Sequence, residues 1–469
     1  MSDRSGNQIS VPSVADSLGR VFHQAGFQLY LVGGSVRDAI LRRKSEDLDF
    51  TTDARPGDIE RLLRDHGTTV WTTGADFGTI GAMFQSHQVE VTTFRADAYD
   101  GVSRNPQVAY GDSLDEDLLR RDFTINAMAV SLPDHEFHDP FGGIAHLAQQ
   151  RIDTPGRPRD SFSDDPLRML RAARFASQLG FDVTEPVRNA MVDLADELQR
   201  ITAERIRDEF VKLMASPDPI VGLRLLVDTG LAQHFLPELE GMRMSIDEHA
   251  QHKDVYEHTL QVVRNVIAHE QGEADVVLRI AALLHDIGKP DTKGKGPSGR
   301  VTFHHHEVVG ARMARKRLRT LRFPKDQISS ISQLIFLHLR FYGYGEDGWT
   351  DSAVRRYVTD AGDELERLHL LVRSDCTTRN RRKAKRLSAD YDAFQDRIKR
   401  ILEEEDLRSV RPDLDGNAIM ELLNLKPGPD VGKAWKFLKD MRLEHGPMDR
   451  DEAERMLKDW ARENGIGEQ

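Results

Sequence analysis

The stretch Leu31 to Phe50, LVGGSVRDAILRRKSEDLDF, constrains what this chain can fold into more than any other part of it. An apolar run from Leu29 to Val32 breaks at Gly33-Gly34 and passes through Ser35 into an amphipathic segment ending near Arg42. That order reads as a strand, a glycine turn and a helix start. Two glycines let the backbone approach a bound group closely, and the unpaired N–H groups of a helix start suit an anion such as phosphate. Asp47 and Asp49 follow on what reads as the next strand, where residues i and i+2 share a face. Paired carboxylates beside a phosphate-binding turn can hold Mg²⁺, which prefers oxygen ligands, and so support phosphoryl or nucleotidyl transfer. Either half alone is commonplace: most glycine turns only turn the chain, and Asp-x-Asp occurs on many solvated strand ends.

At 469 residues the chain is long for one core, so two to four domains are expected. The formal net charge of −12 argues against general nucleic-acid affinity, although a local basic face can hide within such a total. A single cysteine, Cys376, excludes an internal disulfide framework and a cysteine-rich zinc site. There is no apolar run long enough to span a bilayer and no signal-peptide pattern in MSDRSGNQ, so a cytoplasmic location without a membrane partner is expected.

Val14, Leu18, Val21, Phe22 and Ala25 stand at helical spacing, and Gly57 to Asp65 reads as a second helix. Strand-like pieces TTVWTT, GTIGAMF and VEVTTF follow. Glu90 lies on the opposite face from Val89 and Val91, which makes it either a third carboxylate for the metal or a solvated strand residue. Asp97 to Asp117 reads as a loop. Arg120, Arg121 and Asp122 then precede a helix-compatible segment, FTINA. Arginine offers a forked donor to phosphates and a nearby aspartate can accept from a ribose hydroxyl, but an exposed charged helix start has the same pattern. The turn Asp139 to Gly143 has the breakers of a hinge.

From Pro166 onward the pattern is helical, with Pro166 suited to a first turn. Arg168, Arg171 and Arg174 recur every three residues along one flank of that helix. Thr202 to Met214 forms another helix with Thr202 as its cap, and Arg205 where Glu or Gln would complete a capping box. Farther on, His258, the pair His285-Asp286 after an apolar helix, the run His304-His305-His306, His338 and Asp375 supply imidazole and carboxylate groups that can converge on one or two metals. The densest basic run, Arg379 to Arg386, is a candidate for RNA phosphate contact or a solvated helix face.

Taken in order, LVGGSVRDAI with DLD, VEVTTFR, RRDFTINAMA, DPFGG, DDPLRMLRAARFA and ITAERIRDEF resemble the class II CCA-adding tRNA nucleotidyltransferase and bacterial poly(A) polymerase family, within the polymerase-β-type superfamily. The resemblance covers about the first half of the chain. It implies an α+β fold: a nucleotidyltransferase head with a small mixed sheet (1–150), then an all-α neck (151–245), an HD domain (246–385) and a tail (386–469) that would grip tRNA. It implies that Asp47 and Asp49 hold catalytic Mg²⁺ with Glu90 as a further ligand, and that Gly33, Gly34, Ser35 and Arg37 lie near the triphosphate. Arg121 and Asp122 would engage the incoming nucleotide, Asp122 through its ribose 2′-OH. Asp165 and Arg168 would read the base edge of CTP or ATP, with Asn126, Arg171 and Arg174 completing the nucleotide-binding set. Donor-only arginine and acceptor-only aspartate complement the amino and ring-nitrogen groups that C and A share. Asp164 stands where the family usually has Glu, one methylene longer, which puts any contact from it to a neighbouring arginine in question.

The pattern H…HD…H…H…D resembles the HD phosphohydrolase superfamily. His258, His285, Asp286 and Asp375 match its metal ligands, and His306 and His338 the extra positions of two-metal members. The register within His304 to His306 stays open, as do the metal and the substrate. The implied activity is addition of CCA to the 3′ end of tRNA, with a second phosphohydrolase activity possible in the HD domain. The alternatives are a poly(A) polymerase, a CC- or A-adding relative, or an HD hydrolase whose head only binds RNA.

Overall fold

The computed structural model describes residues 9–43, 48–66, 69–96, 109–111, 113–243, 254–296, 301–341, 350–377, 381–404 and 412–467. Asp47, most of the 97–117 loop and the start of the 379–386 basic run lie outside these residues. The chain divides into two compact units, Met1–Phe235 and Leu236–Gln469. The division falls before the expected end of the neck at residue 245.

In the first unit, α1 (Ser13–Gln24) buries Val14, Leu18 and Phe22, one residue per turn. Next come β1 (Leu29–Val32), α2 (Gly34–Ile40), β2 (Leu48–Thr52), α3 (Pro56–His66), β3 (Thr69–Trp71), β4 (Thr79–Phe84) and β5 (His87–Thr93). A short pair, β6 (Arg95–Ala96) and β7 (Ala109–Tyr110), stands apart. With β8 (Ala129–Leu132) and β9 (Phe137–His138), the main sheet runs β3-β4-β5-β2-β1-β8-β9. It is mixed: β2 and β5 are parallel, and the other pairs are antiparallel. Parallel pairing sets Asp49 opposite Glu90, so both carboxylates stand on one face of adjacent strands.

The segment after Asp122 is not a helix. A single 3-10 turn, Thr124–Asn126, leads directly into β8. Every residue from Asp122 to Val130 is buried, so no solvated helical face is left, and pairing with β1 satisfies the backbone of β8.

The rest of this unit is helical apart from a two-residue parallel pair, β10 (Arg151–Ile152) with β11 (Asp182–Val183). It contains α4 (Leu114–Leu119), α5 (Gly143–Ala148), α6 (Pro158–Asp164), α7 (Leu167–Leu179), α8 (Glu185–Asp193), α9 (Ala203–Met214) and α10 (Pro219–Asp228). α7 begins directly after Pro166 and stops at Gly180, whose φ of 73° only glycine adopts without strain. The hydroxyl of Thr202 accepts the Arg205 N–H at 3.5 Å, giving α9 its cap. α7 and α10 pack closely where the Gly222 N–H donates to Ser177 Oγ at 2.8 Å.

In the second unit an antiparallel pair, β12 (Lys293–Lys295) with β13 (Val301–Phe303), interrupts an array that is otherwise helical among the described residues. The helices are α11 (Glu238–Gly241), α12 (Val255–His269), α13 (Val276–Leu284), α14 (His306–Thr320), α15 (Lys325–Leu337), α16 (Asp351–Ala361), α17 (Leu365–Asp375), α18 (Arg381–Glu404), α19 (Gly416–Leu423), α20 (Pro429–His445) and α21 (Arg450–Glu463). The last three share a core that includes Ile419, Leu438 and Leu457. No described helix is long and apolar enough to cross a membrane.

Candidate active site and metal centre

In the first unit, a solvent-open cleft of about 470 Å³ forms where the β1–α2 turn faces α7. Gly33 has a φ of 70°, and a side chain there would meet Arg121 Nη1 at 3.1 Å and Asp49 Oδ2 at 3.7 Å. The glycine thus keeps open a gap with a guanidinium on one side and a carboxylate on the other. Ser35 Oγ accepts the Asp49 N–H at 3.2 Å, tying the turn to β2. Asp49 and Glu90 offer the hard oxygen donors that Mg²⁺ takes.

Arginines dominate the opposite wall. Arg37 is buried, donating to Asn126 Oδ1 at 2.7 Å and to Asp38 through two bonds of 2.9 Å. Asn126 Nδ2 donates in turn to Asp122 Oδ1 at 2.9 Å. Asp122 Oδ1 also accepts the Phe123 N–H, while Oδ2 accepts Arg171 Nε at 2.8 Å and Nη2 at 2.5 Å. Burial alone would raise the Asp122 pKa, but Arg171, Asn126 and the Phe123 amide outweigh it and hold the pKa to about 2. Arg174 pairs with buried Glu209 at 2.9 Å, and the guanidiniums of Arg37, Arg171 and Arg174 lie 5.2, 5.7 and 4.4 Å from the Phe175 ring centre. Three guanidiniums are thereby held at one wall of the cleft, each paired with a carboxylate: Arg37 with Asp38, Arg171 with Asp122 and Arg174 with Glu209.

Of the expected nucleotide-binding residues, the cleft gathers Gly33, Gly34, Ser35, Arg37, Arg121, Asp122, Asn126, Arg171 and Arg174, with Asp49 of the expected metal pair. Asp165 and Arg168 are not in its lining. Asp165 Oδ2 accepts Arg205 Nη2 at 3.0 Å, whereas Arg168 donates to Ser161 Oγ at 2.8 Å and to the Arg120 carbonyl at 2.5 Å. The Asp122 carboxylate, expected to accept from a ribose, has its acceptor positions taken by three protein partners and acts here as the anchor of Arg171. Sequence reasoning missed Asp38, Phe175 and Gln178 in the lining. The one available signal was helical spacing, since Phe175 follows Arg171 by four residues.

In the second unit all six expected ligands meet, in two groups: His258 with His285 and Asp375, and Asp286 with His306 and His338. His258 Nε2 lies 2.9 Å from Asp375 Oδ1, His285 Nε2 3.2 Å from Asp286 Oδ2, and His306 Nε2 3.2 Å from Asp286 Oδ1. Asp286 thus presents one oxygen to each group. Of the histidine run it is His306 that meets the cluster, buried where His304 and His305 are exposed.

Each ring is fixed from behind. Nδ1 of His285, His306 and His338 bonds the carbonyl three residues earlier at 2.8, 2.8 and 2.6 Å, and Nδ1 of His258 bonds Thr377 Oγ1 at 3.0 Å. Such bonds set the tautomer that leaves Nε2 free to ligate. The Nε2 atoms of His285, His306 and His338 are buried without a hydrogen-bond partner, as expected of groups shaped for an ion. Burial, followed by the nearby His285 charge, holds His338 to a pKa of about 4, so its ring is neutral near pH 7. Four imidazoles and two carboxylates fit a pair of divalent transition ions.

Residues 29–153 match the family model of the poly(A) polymerase head domain, residues 180–242 that described as the probable RNA and SrmB-binding site of polymerase A, and residues 255–376 the HD domain. The CCA-adding enzyme of Bacillus velezensis is 42% identical over 226 residues, which make up 48% of this chain and 56% of that enzyme. The chain therefore spans just over half the length of the curated relatives it matches. Among solved structures, the Bacillus stearothermophilus CCA-adding enzyme in complex with CTP superposes with a TM-score of 0.67 at 25% identity, covering 97% of this chain and 99% of its own. The Thermotoga maritima CCA-adding enzyme complexed with tRNA superposes with a TM-score of 0.59 at 18% identity, covering 97% of each chain, which extends the shared fold to a more distant sequence.

Proposed function

We propose that this chain, which carries a poly(A) polymerase-type head, the associated RNA-binding segment and an HD domain, adds CCA to the 3′ end of tRNA from CTP and ATP. The observation that carries this reading is the close approach at Gly33, where the Asp49 carboxylate and the Arg121 guanidinium both come within 3.7 Å of where a side chain would begin. The likeness to CCA-adding enzymes supports CCA addition as the nucleotidyl transfer. In the reaction the tRNA 3′-oxygen attacks the α-phosphorus, the bond to the β-phosphate breaks, and pyrophosphate leaves. Asp49, Glu90 and Asp47 would hold Mg²⁺, which supplies charge neutralisation and activation of the attacking hydroxyl. Arg121, Arg171 and Arg174 bind the triphosphate, and the turn at Gly33 to Ser35 lets backbone N–H groups approach it. Asp165 and Arg168, at the α6–α7 junction, serve the base edge once the nucleotide is bound.

The HD centre is read as a divalent-metal phosphohydrolase acting on phosphomonoesters or cyclic phosphates. Its orphaned imidazole nitrogens support a resident metal.

The head is tested with purified protein, Mg²⁺, a tRNA ending at its discriminator base, and each labelled nucleotide. Incorporation of two C and one A is expected. ATP extension without limit would instead mean poly(A) synthesis. Unchanged incorporation by Asp49→Ala would refute the metal assignment.

A further inference from the structure

α14 is far more basic than the chain that contains it. From His306 to Lys325 there are Arg312, Arg315, Lys316, Arg317, Arg319, Arg322 and Lys325 against a single carboxylate, Glu307, in a protein of net charge −12. Arg317 turns to a carboxylate, pairing with Glu238 at 3.0 Å. Among the described residues no carboxylate pairs with Arg312, Arg315, Lys316 or Arg319, and all four are exposed. Arg315 and Arg319 line a groove of about 640 Å³ between the end of α14 and the start of α15, together with Phe323, Lys325 and Ile328.

The geometry points to this groove and the adjoining flank of α14 as a binding surface for the sugar–phosphate backbone of RNA, separate from both centres described above. The inference rests on the reading that tRNA is the substrate. Arg312, Arg315 and Arg319 follow one flank at helical spacing, so their charges extend along about 10 Å of the helix axis. Cations strung out in this way suit an extended polyanion, whereas a single small anion would need donors that converge on one point. Their exposure keeps them solvated until contact, so no buried charge is left unpaired when RNA is absent. Arg319, at the groove, lies away from the HD centre: it is thirteen residues along α14 from His306, roughly 20 Å along the helix. The remaining local carboxylates, Glu307 and Asp326, lie in the first turns of α14 and α15 and leave the flank positive.

Fluorescence anisotropy of labelled tRNA lacking its CCA end, titrated with the full chain at several salt concentrations, tests this. The double variant Arg315→Gln/Arg319→Gln is expected to bind about tenfold more weakly near about 0.1 M salt, with the slope of log K against log salt shallower by about 1.5, since each lost phosphate contact removes roughly 0.7–0.9. KM for tRNA should rise by the same factor, while kcat at saturating tRNA and the melting midpoint stay at wild-type values. Unchanged affinity and slope would overturn the inference. So would a loss of binding to phosphatidylglycerol vesicles with tRNA binding intact, which would assign the surface to a membrane. Failure of the wild type to extend tRNA with CTP and ATP would instead count against the proposed activity, and the anisotropy, which needs no turnover, would still decide the surface.

Discussion

Asp122 illustrates how a residue expected to meet a nucleotide can also hold the wall of its own cleft in place. As a carboxylate next to two arginines it reads as a nucleotide contact; in the structure it is buried and holds Arg171 and Asn126 in place. Its folded pKa of about 2 lies below the ordinary aspartate value near 3.8, so its stabilisation is complete above pH ~4 and is lost as the pH falls through about 2. The difference of nearly two units corresponds to about 2 kcal/mol. Asp122→Asn should therefore lower the melting midpoint at pH 7, and the gap between variant and wild type should close on acidification from pH ~4 to ~2. A gap independent of pH would refute this account. Asn126 spans Arg37 and Asp122 with one amide, so Asn126→Ala should release both partners and raise KM for CTP and ATP about tenfold, the equivalent of about 1.4 kcal/mol, one good hydrogen bond near charge. Steady-state kinetics with each nucleotide check it, and an unchanged KM would show that Arg37 needs no such support.

At the scale of elements, local pattern carried what depends on neighbours in sequence. The strand, glycine turn and helix at Leu29 to Ile40 were readable because each step uses only adjacent residues. The 123–128 segment was not, because its conformation is decided by pairing of β8 with β1, almost a hundred residues earlier. Likewise, the engagement of Arg168 with the Arg120 carbonyl depends on how α7 docks and leaves no periodic trace. A packing contact of the same kind shapes the metal centre. A Cβ at Gly288 would lie 2.3 Å from the His306 carbonyl oxygen and 2.7 Å from the Gly310 N, so α14 sits against the His285–Gly288 turn with no room for a methyl group. Gly288→Ala should push the start of α14 outward, cost about 1–3 kcal/mol of stability, and weaken Mn²⁺ binding at the HD centre about tenfold or more. Calorimetric titration with Mn²⁺ measures the second effect. Full-strength binding would show that His306 tolerates displacement.

For the whole molecule, the two centres differ in the ions they can retain. The head offers carboxylate oxygens beside a wall of arginines, a setting that admits a hard, weakly held cation accompanied by a polyphosphate. The HD centre offers four imidazoles, locked by Nδ1 bonds, around two carboxylates, and such donors retain borderline transition ions in preference to Mg²⁺. The donor types were legible in the sequence, but their convergence was supplied by the resemblance, since α12, α13, α14, α15 and α17 all contribute and no local pattern joins them. This difference in ligands predicts a separation by metal. After exhaustive dialysis against chelator, Mg²⁺ alone should restore CCA addition and leave hydrolysis of a 2′,3′-cyclic nucleotide absent, whereas Mn²⁺ or Ni²⁺ should restore hydrolysis. His285→Ala and Asp286→Ala should abolish the hydrolysis under every metal while nucleotide addition stays within about twofold of wild type, because neither residue lines the head cleft and sites that share no residues are close to additive. Asp49→Ala should give the reverse pattern. Restoration of both activities by Mg²⁺, or equal loss of both in the His285 variant, would mean that the centres are not independent and that one metal requirement governs the chain.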